Sequence, residues 1–325
     1  MRHLISLFDI SQPELEVILD LGEQVKSLLA KGRRPAWLPR SVLALLFEKP
    51  SLRTRVSFEA GISQLGGTAM FLGEEVGWQN RESTADFVRV LAQYADFIVC
   101  RAKSHNSVEE LASFNCVPII NGLTDFSHPC QALADLMTMR QFAGSLGGKT
   151  VTFVGDGNNV ARSLAVACAM VGMRFRLLGP EAYFMPDEAI EAIVSRYPDA
   201  DIAMSKDAAT VLNGADFVYT DVWTSMGQEA EMAERRRAFA PYQLNDKLLR
   251  HATSHCRILH CLPARRGEEI TDQVMDSPNS VIVEQAGNRM HSQKGLLLWL
   301  ALQHKQLKVS ELEKEGIKLP QLQSS

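Results

Sequence analysis

The chain has 325 residues, enough for two domains of ordinary size. Hydrophobic residues make up 46% and charged residues 22%, a balance that excludes a disordered or low-complexity chain. With 34 Lys and Arg against 38 Asp and Glu, the formal net charge of -4 shows no basic excess of the kind that advertises a nucleic-acid or membrane surface.

The apolar run at the N-terminus stops at Asp9 without a small-residue cleavage site after it, so it does not read as a signal peptide. In chain order, Val42–Phe47 (VLALLF) has the length and composition of a buried strand. Residues 52–65 set Phe58, Ile62 and Leu65 at four-then-three spacing, which predicts a helix stopped by Gly66 and Gly67. Runs at 97–100 and 117–120 predict two more strands, and 128–142 the next helix. Gly147 and Gly148 lead into a second series: TVTFV at 150–154, a glycine turn, and a helix opening near Asn159. Further strands are expected at 175–178, 217–220, 258–262 and 281–283, with an apolar helix over 292–303.

Strand-like runs alternating with helix-like ones predict an α/β chain of two domains, each a parallel sheet flanked by helices. The halves are expected to meet near residue 145, with the C-terminal helix returning to the first domain. The apolar run at 295–302 is far shorter than the ~20 residues of a membrane helix, so no membrane partner is expected. The six cysteines show no CxxC or zinc-type spacing and read as thiols in a reducing, cytoplasmic setting. No metal is implied.

Four segments carry groups suited to chemistry. In FEKPSLRTRVSFEAG (47–61), Ser51 stands at a helix start, where exposed backbone N–H groups combine with Ser51, Arg53, Thr54 and Arg55 into a receptor for phosphate or carboxylate. The plainer reading is a capped helix with solvated arginines. In HPCQALAD (128–135), Pro129 suits a first helical turn and leaves His128 and Gln131 at the rim of the sheet, able to donate to a carbonyl or oxyanion, or simply to form a cap.

FVGDGNNVARS (153–163) has Gly155 and Gly157 of a G-x-G-x-x-G fingerprint, but Val160 stands where the third glycine belongs. This counts against a nicotinamide dehydrogenase and leaves a tight turn presenting Asp156, Asn158 and Asn159 for capping or for a small polar ligand. DVWTSMG (221–227) and HCLPARRGEE (260–269) each follow a strand-like run and should reach the same sheet edge. There Asp221 suits an ammonium, while Cys261 is either a nucleophile or a small core residue.

Together and in this order, SLRTR, HPCQ, GDGNN, DVWTSMG and HCLP resemble the aspartate/ornithine transcarbamylase family, from about Phe47 to the helix after Arg289. The acid and thiol of the last two motifs are similar to the ornithine-specific branch. The resemblance implies transfer of the carbamoyl group of carbamoyl phosphate to the side-chain amine of L-ornithine, giving L-citrulline and phosphate, without a cofactor. A modified ornithine such as the N-acetyl form, or the diamine putrescine, is the alternative acceptor.

By the same resemblance, residues 1–145, with 292–325 packing back on them, bind carbamoyl phosphate, and 146–291 bind ornithine across a cleft. Ser51, Leu52 through its N–H, Arg53, Thr54 and Arg101 are implied at the phosphate. His128, Gln131, Thr54 and Arg289 are implied at the carbamoyl group, with Cys261 and Leu262 beside it. Asp221 and Cys261 are implied at the amine, and Asn159, Ser225 and Met226 at the amino-acid head. Arg53, His128 and Cys261 are the expected catalytic residues, and a homotrimer is the expected assembly. Three departures stand out: Leu52 replaces the commoner Thr, QAGNR (285–289) replaces E-A-E-N-R, and Gly77 sits where family members lend a polar side chain to a neighbouring subunit.

Overall fold

The computed structural model describes residues 1–224 and 229–319, and within them nine strands form two parallel sheets, one in each of two units. The first unit comprises Met1–Met137 with Asn288–Ser325, the second Thr138–Gly287. The chain leaves the first unit within the helix Pro129–Ala143 and re-enters it within the helix Ile282–Gln303, so the division falls a few residues before the glycine turn that suggested 145.

In the first unit, β1 (Val42–Phe47), β2 (Thr68–Leu72), β3 (Phe97–Arg101) and β4 (Ile119–Leu123) lie in the order β2-β1-β3-β4. Strands buried on both faces must be apolar throughout, which is why VLALLF lacks polar alternation. One face of the sheet, carrying Ala44, Leu46, Ile98 and Cys100, packs on Val88, Leu91, Val108 and Leu111 from the helices Thr84–Leu91 and His105–Ser113. Each such side chain contributes roughly 1.5–3 kcal/mol when fully buried. The strand order reverses between β1 and β3, and Phe47 pairs with Arg101, so the carboxyl ends of both strands open on one crevice.

In the second unit, β5 (Thr150–Val154), β6 (Arg174–Leu178), β7 (Asp201–Ser205), β8 (Phe217–Thr220) and β9 (Arg257–His260) take the order β7-β6-β5-β8-β9. Here the reversal lies between β5 and β8. Thr220 pairs with both Val154 and His260, which brings the residues after all three strands to one rim.

The strand expected at 281–283 is absent: Ser280 makes a single bridge to Ile258, and the helix Ile282–Gln303 begins ten residues before the expected 292. Burial of Ile282, Gln285, Asn288 and Arg289 follows the helical period, but three of these are polar, and hydrophobicity alone does not register them. This helix returns against the N-terminal helix Gln12–Ala30. A Cβ on Gly295 would run into the Ile18 carbonyl oxygen, so glycine is what permits the approach. Lys26 Nζ donates to Asn288 Oδ1 at 2.6 Å across the same pair of helices.

Candidate functional site

The helix Leu52–Gln64 starts at the crevice of the first unit because Ser51, in extended conformation, caps it, its Oγ accepting from the Thr54 N–H. The Ser51 hydroxyl also donates to Thr54 Oγ1 at 3.0 Å, and Arg289 Nη2 donates to that same oxygen at 2.9 Å. Thr54 is fully buried, whereas the Leu52 side chain is 74% exposed and offers this place only its backbone. The Thr-to-Leu departure therefore changes the solvent face of the turn and leaves the N–H donors intact.

Arg101 ends β3 and is 6% exposed; its Nε has no hydrogen-bond partner among the described residues. Burial, then repulsion from Arg289 and Arg53, pulls its pKa down to about 10, which still leaves it charged at neutral pH. Arg101 within reach of the Arg53 and Arg289 charges, beside a helix N-terminus, is an arrangement chemically suited to an anion. Ser51, Arg53, Thr54, Arg101 and Arg289, expected from sequence to share a site, are thus gathered in one unit.

His128 precedes Pro129 at the start of the helix Pro129–Ala143, its carbonyl accepting from the Gln131 and Ala132 N–H groups. Burial, reinforced by Arg289 and Arg101, holds its pKa well below the usual histidine value, so the imidazole is neutral and acts as a hydrogen-bonding group without a charge of its own. Gln131 Nε2 donates to Asp135 Oδ1 at 2.8 Å, one helical turn on. With its NH2 turned to that buried carboxylate, the amide keeps its oxygen for an N–H donor. The neighbouring Cys130 is fully buried and its pKa is pushed up to about 12 by that burial, which removes it as a nucleophile.

At the rim of the second unit, Asp221 follows β8 and Cys261 follows β9. The Cys261 thiol donates to Asp221 Oδ1 at 3.0 Å, the Val222 N–H donates to the same oxygen at 2.8 Å, and Asn158 Nδ2 donates to Oδ2 at 3.0 Å. Asn158 also caps the helix Asn159–Val171, its Oδ1 accepting from the Val160 and Ala161 N–H groups. Those are the donors that a pyrophosphate on a dinucleotide loop would use, so the cap itself argues against that reading. A Cβ on Gly157 would strike the backbone at Phe184 and Met185, which accounts for a glycine in this turn without a ligand.

The placement of the head-group residues differs from the expectation in one respect. Asn158 bonds directly to Asp221, while Asn159 is the half-buried first residue of the helix. Ser225 and Met226 lie outside the described residues. Asp156 is spent within the protein: it accepts from Arg235 Nη2, and Arg235 Nε donates to the Trp223 carbonyl at 2.5 Å. Burial pushes the Asp156 pKa up against the pull of Arg235. Leu262, expected beside the carbamoyl group, belongs to the second unit and has a left-handed φ of 58°.

Among the described residues, Asp221, His260 and Cys261 bring three metal-ligating groups together, their ligand atoms within 4.8 Å of one another. Both ring nitrogens of His260 are already committed: Nδ1 accepts from the Leu262 N–H at 2.8 Å, and Nε2 lies 3.0 Å from Glu269 Oε1. That leaves the acid and the thiol, fewer than the three protein donors of a catalytic zinc site. Sequence reasoning missed His260, Glu269 and Arg235 as parts of this rim, and named Asn158 only as a cap or polar-ligand candidate without its bond to Asp221. The register of β8 against β9 could have found His260, since it sets Asp221 and Cys261 side by side.

Two family models match the chain: the carbamoyl-P binding domain of aspartate/ornithine carbamoyltransferase over residues 2–141, and the Asp/Orn binding domain of the same family over 147–300. An ornithine carbamoyltransferase of Anoxybacillus flavithermus is 46% identical over 305 residues, covering 92% of this chain and 96% of its own. The anabolic ornithine carbamoyltransferase of Pyrococcus furiosus is 45% identical over 304 residues, 91% of this chain and 95% of its own. A solved structure of ornithine carbamoyltransferase from Pyrococcus furiosus superposes with a TM-score of 0.88 at 44% identity, covering 91% of this chain and 96% of that one. The anabolic enzyme of Campylobacter jejuni gives 0.87 at 31% identity, covering 93% and 100%.

Proposed function

The chain belongs to the aspartate/ornithine carbamoyltransferase family, and from that premise we propose that it transfers the carbamoyl group of carbamoyl phosphate to the side-chain amine of L-ornithine, giving L-citrulline and phosphate. The observation that carries this reading is the opposite character of its two polar clusters. In the first unit, a buried Arg101 that feels the charges of Arg289 and Arg53 suits a phosphate. In the second, an acid joined to a thiol and an amide suits an amine, whereas an aspartate acceptor would call for cations.

In the proposed mechanism, Arg53, Arg101, the hydroxyls of Ser51 and Thr54 and the N–H of Leu52 hold the phosphate, whose negative charge they neutralise as it leaves. Neutral His128 and Arg289 donate to the carbamoyl oxygen where charge develops, and the Gln131 carbonyl accepts from the carbamoyl NH2. The acceptor amine, with a lysine-like reference pKa of ~10.4, must lose a proton before it attacks. Asp221 and Cys261 hold and orient that nitrogen, with Asn159, Ser225 and Met226 at the amino-acid head. The nitrogen lone pair forms the new C–N bond, the bond from carbon to the phosphate oxygen breaks, and phosphate departs with its electron pair and takes up the proton that the substituted nitrogen releases. The chemistry needs no cofactor, because the mixed anhydride is already activated.

A panel of ornithine, N-acetylornithine, putrescine and aspartate, each with carbamoyl phosphate, tests the reading. Citrulline from ornithine alone is expected, and no turnover of ornithine overturns it. Kinship with anabolic enzymes of Pyrococcus furiosus and Campylobacter jejuni supports a place in arginine biosynthesis. We extend the proposal to a cytoplasmic homotrimer on the resemblance to the family; sedimentation showing a monomer at working concentration would contradict the assembly. No helix among the described residues is long and apolar enough to cross a membrane.

A further inference from the structure

Behind the Cys261 thiol lies a buried imidazole–carboxylate pair that the proposed chemistry does not use. The side chains of His260 and Glu269 are both fully buried, with Nε2 and Oε1 3.0 Å apart. Because His260 Nδ1 accepts the Leu262 N–H at 2.8 Å, that nitrogen carries no proton, and the ring is the tautomer that donates from Nε2 to Glu269. Glu269 Oε1 also accepts the Arg265 N–H at 2.5 Å, while the His260 N–H donates to Gln285 Oε1 at 2.8 Å. The residues on either side of Cys261 are therefore clamped: His260 by its backbone and its ring, Leu262 by its N–H.

The clamp also fixes an unusual backbone. Leu262 sits at a φ of 58°, a region that costs a non-glycine residue about 1 kcal/mol or more, and its N–H is held there by the imidazole. That bond fixes the backbone of the turn next to the Cys261 thiol, while the Leu262 side chain packs on the apolar core of the second unit. A buried polar pair is weak evidence for stability, since well-packed apolar residues often serve as well, and its better-attested use is to specify one arrangement. Here the arrangement specified is that of the loop carrying the thiol.

We propose that His260 and Glu269 are positioning residues: Glu269 orients the His260 imidazole, which holds the Leu262 turn and thereby directs the Cys261 thiol onto Asp221. The inference deepens the proposed acceptor-amine site and rests on that reading. Glu269→Gln keeps an acceptor for both the imidazole and Arg265 N–H groups, whereas Glu269→Ala removes it. His260→Asn keeps an acceptor near the Nδ1 position and loses the contact with residue 269, while His260→Gln does the reverse.

The experiment measures steady-state constants for both substrates on the full-length enzyme and its variants, together with iodoacetamide labelling of Cys261 followed by peptide mapping. Glu269→Ala is expected to raise the ornithine KM about 5–10-fold, no more than removing the thiol itself would, leave the carbamoyl phosphate KM within about twofold, and change the Cys261 labelling rate severalfold. Glu269→Gln should restore both readouts to within about threefold of wild type. His260→Asn should hold the thiol better than His260→Gln.

If Glu269→Ala fails to fold, the two His260 variants and Glu269→Gln decide the matter. Equal labelling and equal ornithine KM across the soluble variants would overturn the positioning role, as would a fall in kcat alone matching a loss of folded protein. A wild-type enzyme that does not use ornithine would overturn the acceptor assignment instead, and the labelling rates would still judge the clamp.

Discussion

The two polar clusters differ in how they treat charge. In the first unit, Arg101 and Arg289 are almost fully buried, and burial, then repulsion from Arg289 and Arg53, lowers the Arg101 pKa, a cost that folding alone does not explain. In the second, the hydrogen bonds to the two carboxylates are complementary: thiol and amide donate to Asp221, and imidazole to Glu269. On the proposed reading the first cluster gathers positive charge for an anion, while in the second Asp221 must exchange one of its hydrogen bonds to admit an amine. Discrimination between substrates should accordingly come from strong electrostatics in one unit and from modest hydrogen bonding in the other.

Arg53→Ala breaks the first side of this contrast hardest. It is expected to cut kcat/KM for carbamoyl phosphate by on the order of 10²–10³, the scale of losing a preorganised donor at developing charge, with the ornithine KM little changed. Wild-type constants for both substrates would remove Arg53 from the phosphate role. Asp221→Asn tests the other side: the shape is kept and the charge lost, so the ornithine KM should rise roughly 10–100-fold while inorganic phosphate protects against thermal unfolding as before. A variant that lost phosphate protection instead would show that the clusters do not divide the substrates in this way. Cys261→Ala removes a single thiol donor and should cost only about 2–10-fold in kcat/KM for ornithine. An unchanged pH–rate profile with unchanged constants would return Cys261 to a packing role.

These clusters were unequally legible in the sequence. The motif SLRTR announced a helix start with two cations, and the local geometry followed, because an N-cap is a property of a few adjacent residues. Arg101 and Arg289 join that site from a strand end and from a helix more than two hundred residues away in sequence, which spacing cannot foresee; they were named by resemblance. The helix Ile282–Gln303 was half hidden because Gln285, Asn288 and Arg289 carry its buried stripe as polar groups. His260 and Glu269 were missed for the same reason. A buried pair of polar side chains has no hydrophobic period, and its meaning appears only when the loop between them is folded.

The smallest expected effect concerns His128, which sits among the cations yet carries no charge. Its folded pKa lies well below the histidine reference, so on acidification through ~6.5 the unfolded chain takes up a proton that the folded chain refuses. Stability from this residue is therefore fully present above that reference value and is lost as the pH falls below it. Urea denaturation at pH 7.5 and 5.5 should show a wild-type loss on acidification that is smaller in His128→Gln, which has no ionisation there. The imidazole proton resonances of His128 should meanwhile show no titration between those two pH values. A His128 that titrates near 6.5, or equal losses in both proteins, would mean that neither burial nor the neighbouring arginines keep it neutral. The surroundings of His128 would then be wetter and less crowded by Arg289 and Arg101 than in the folded structure.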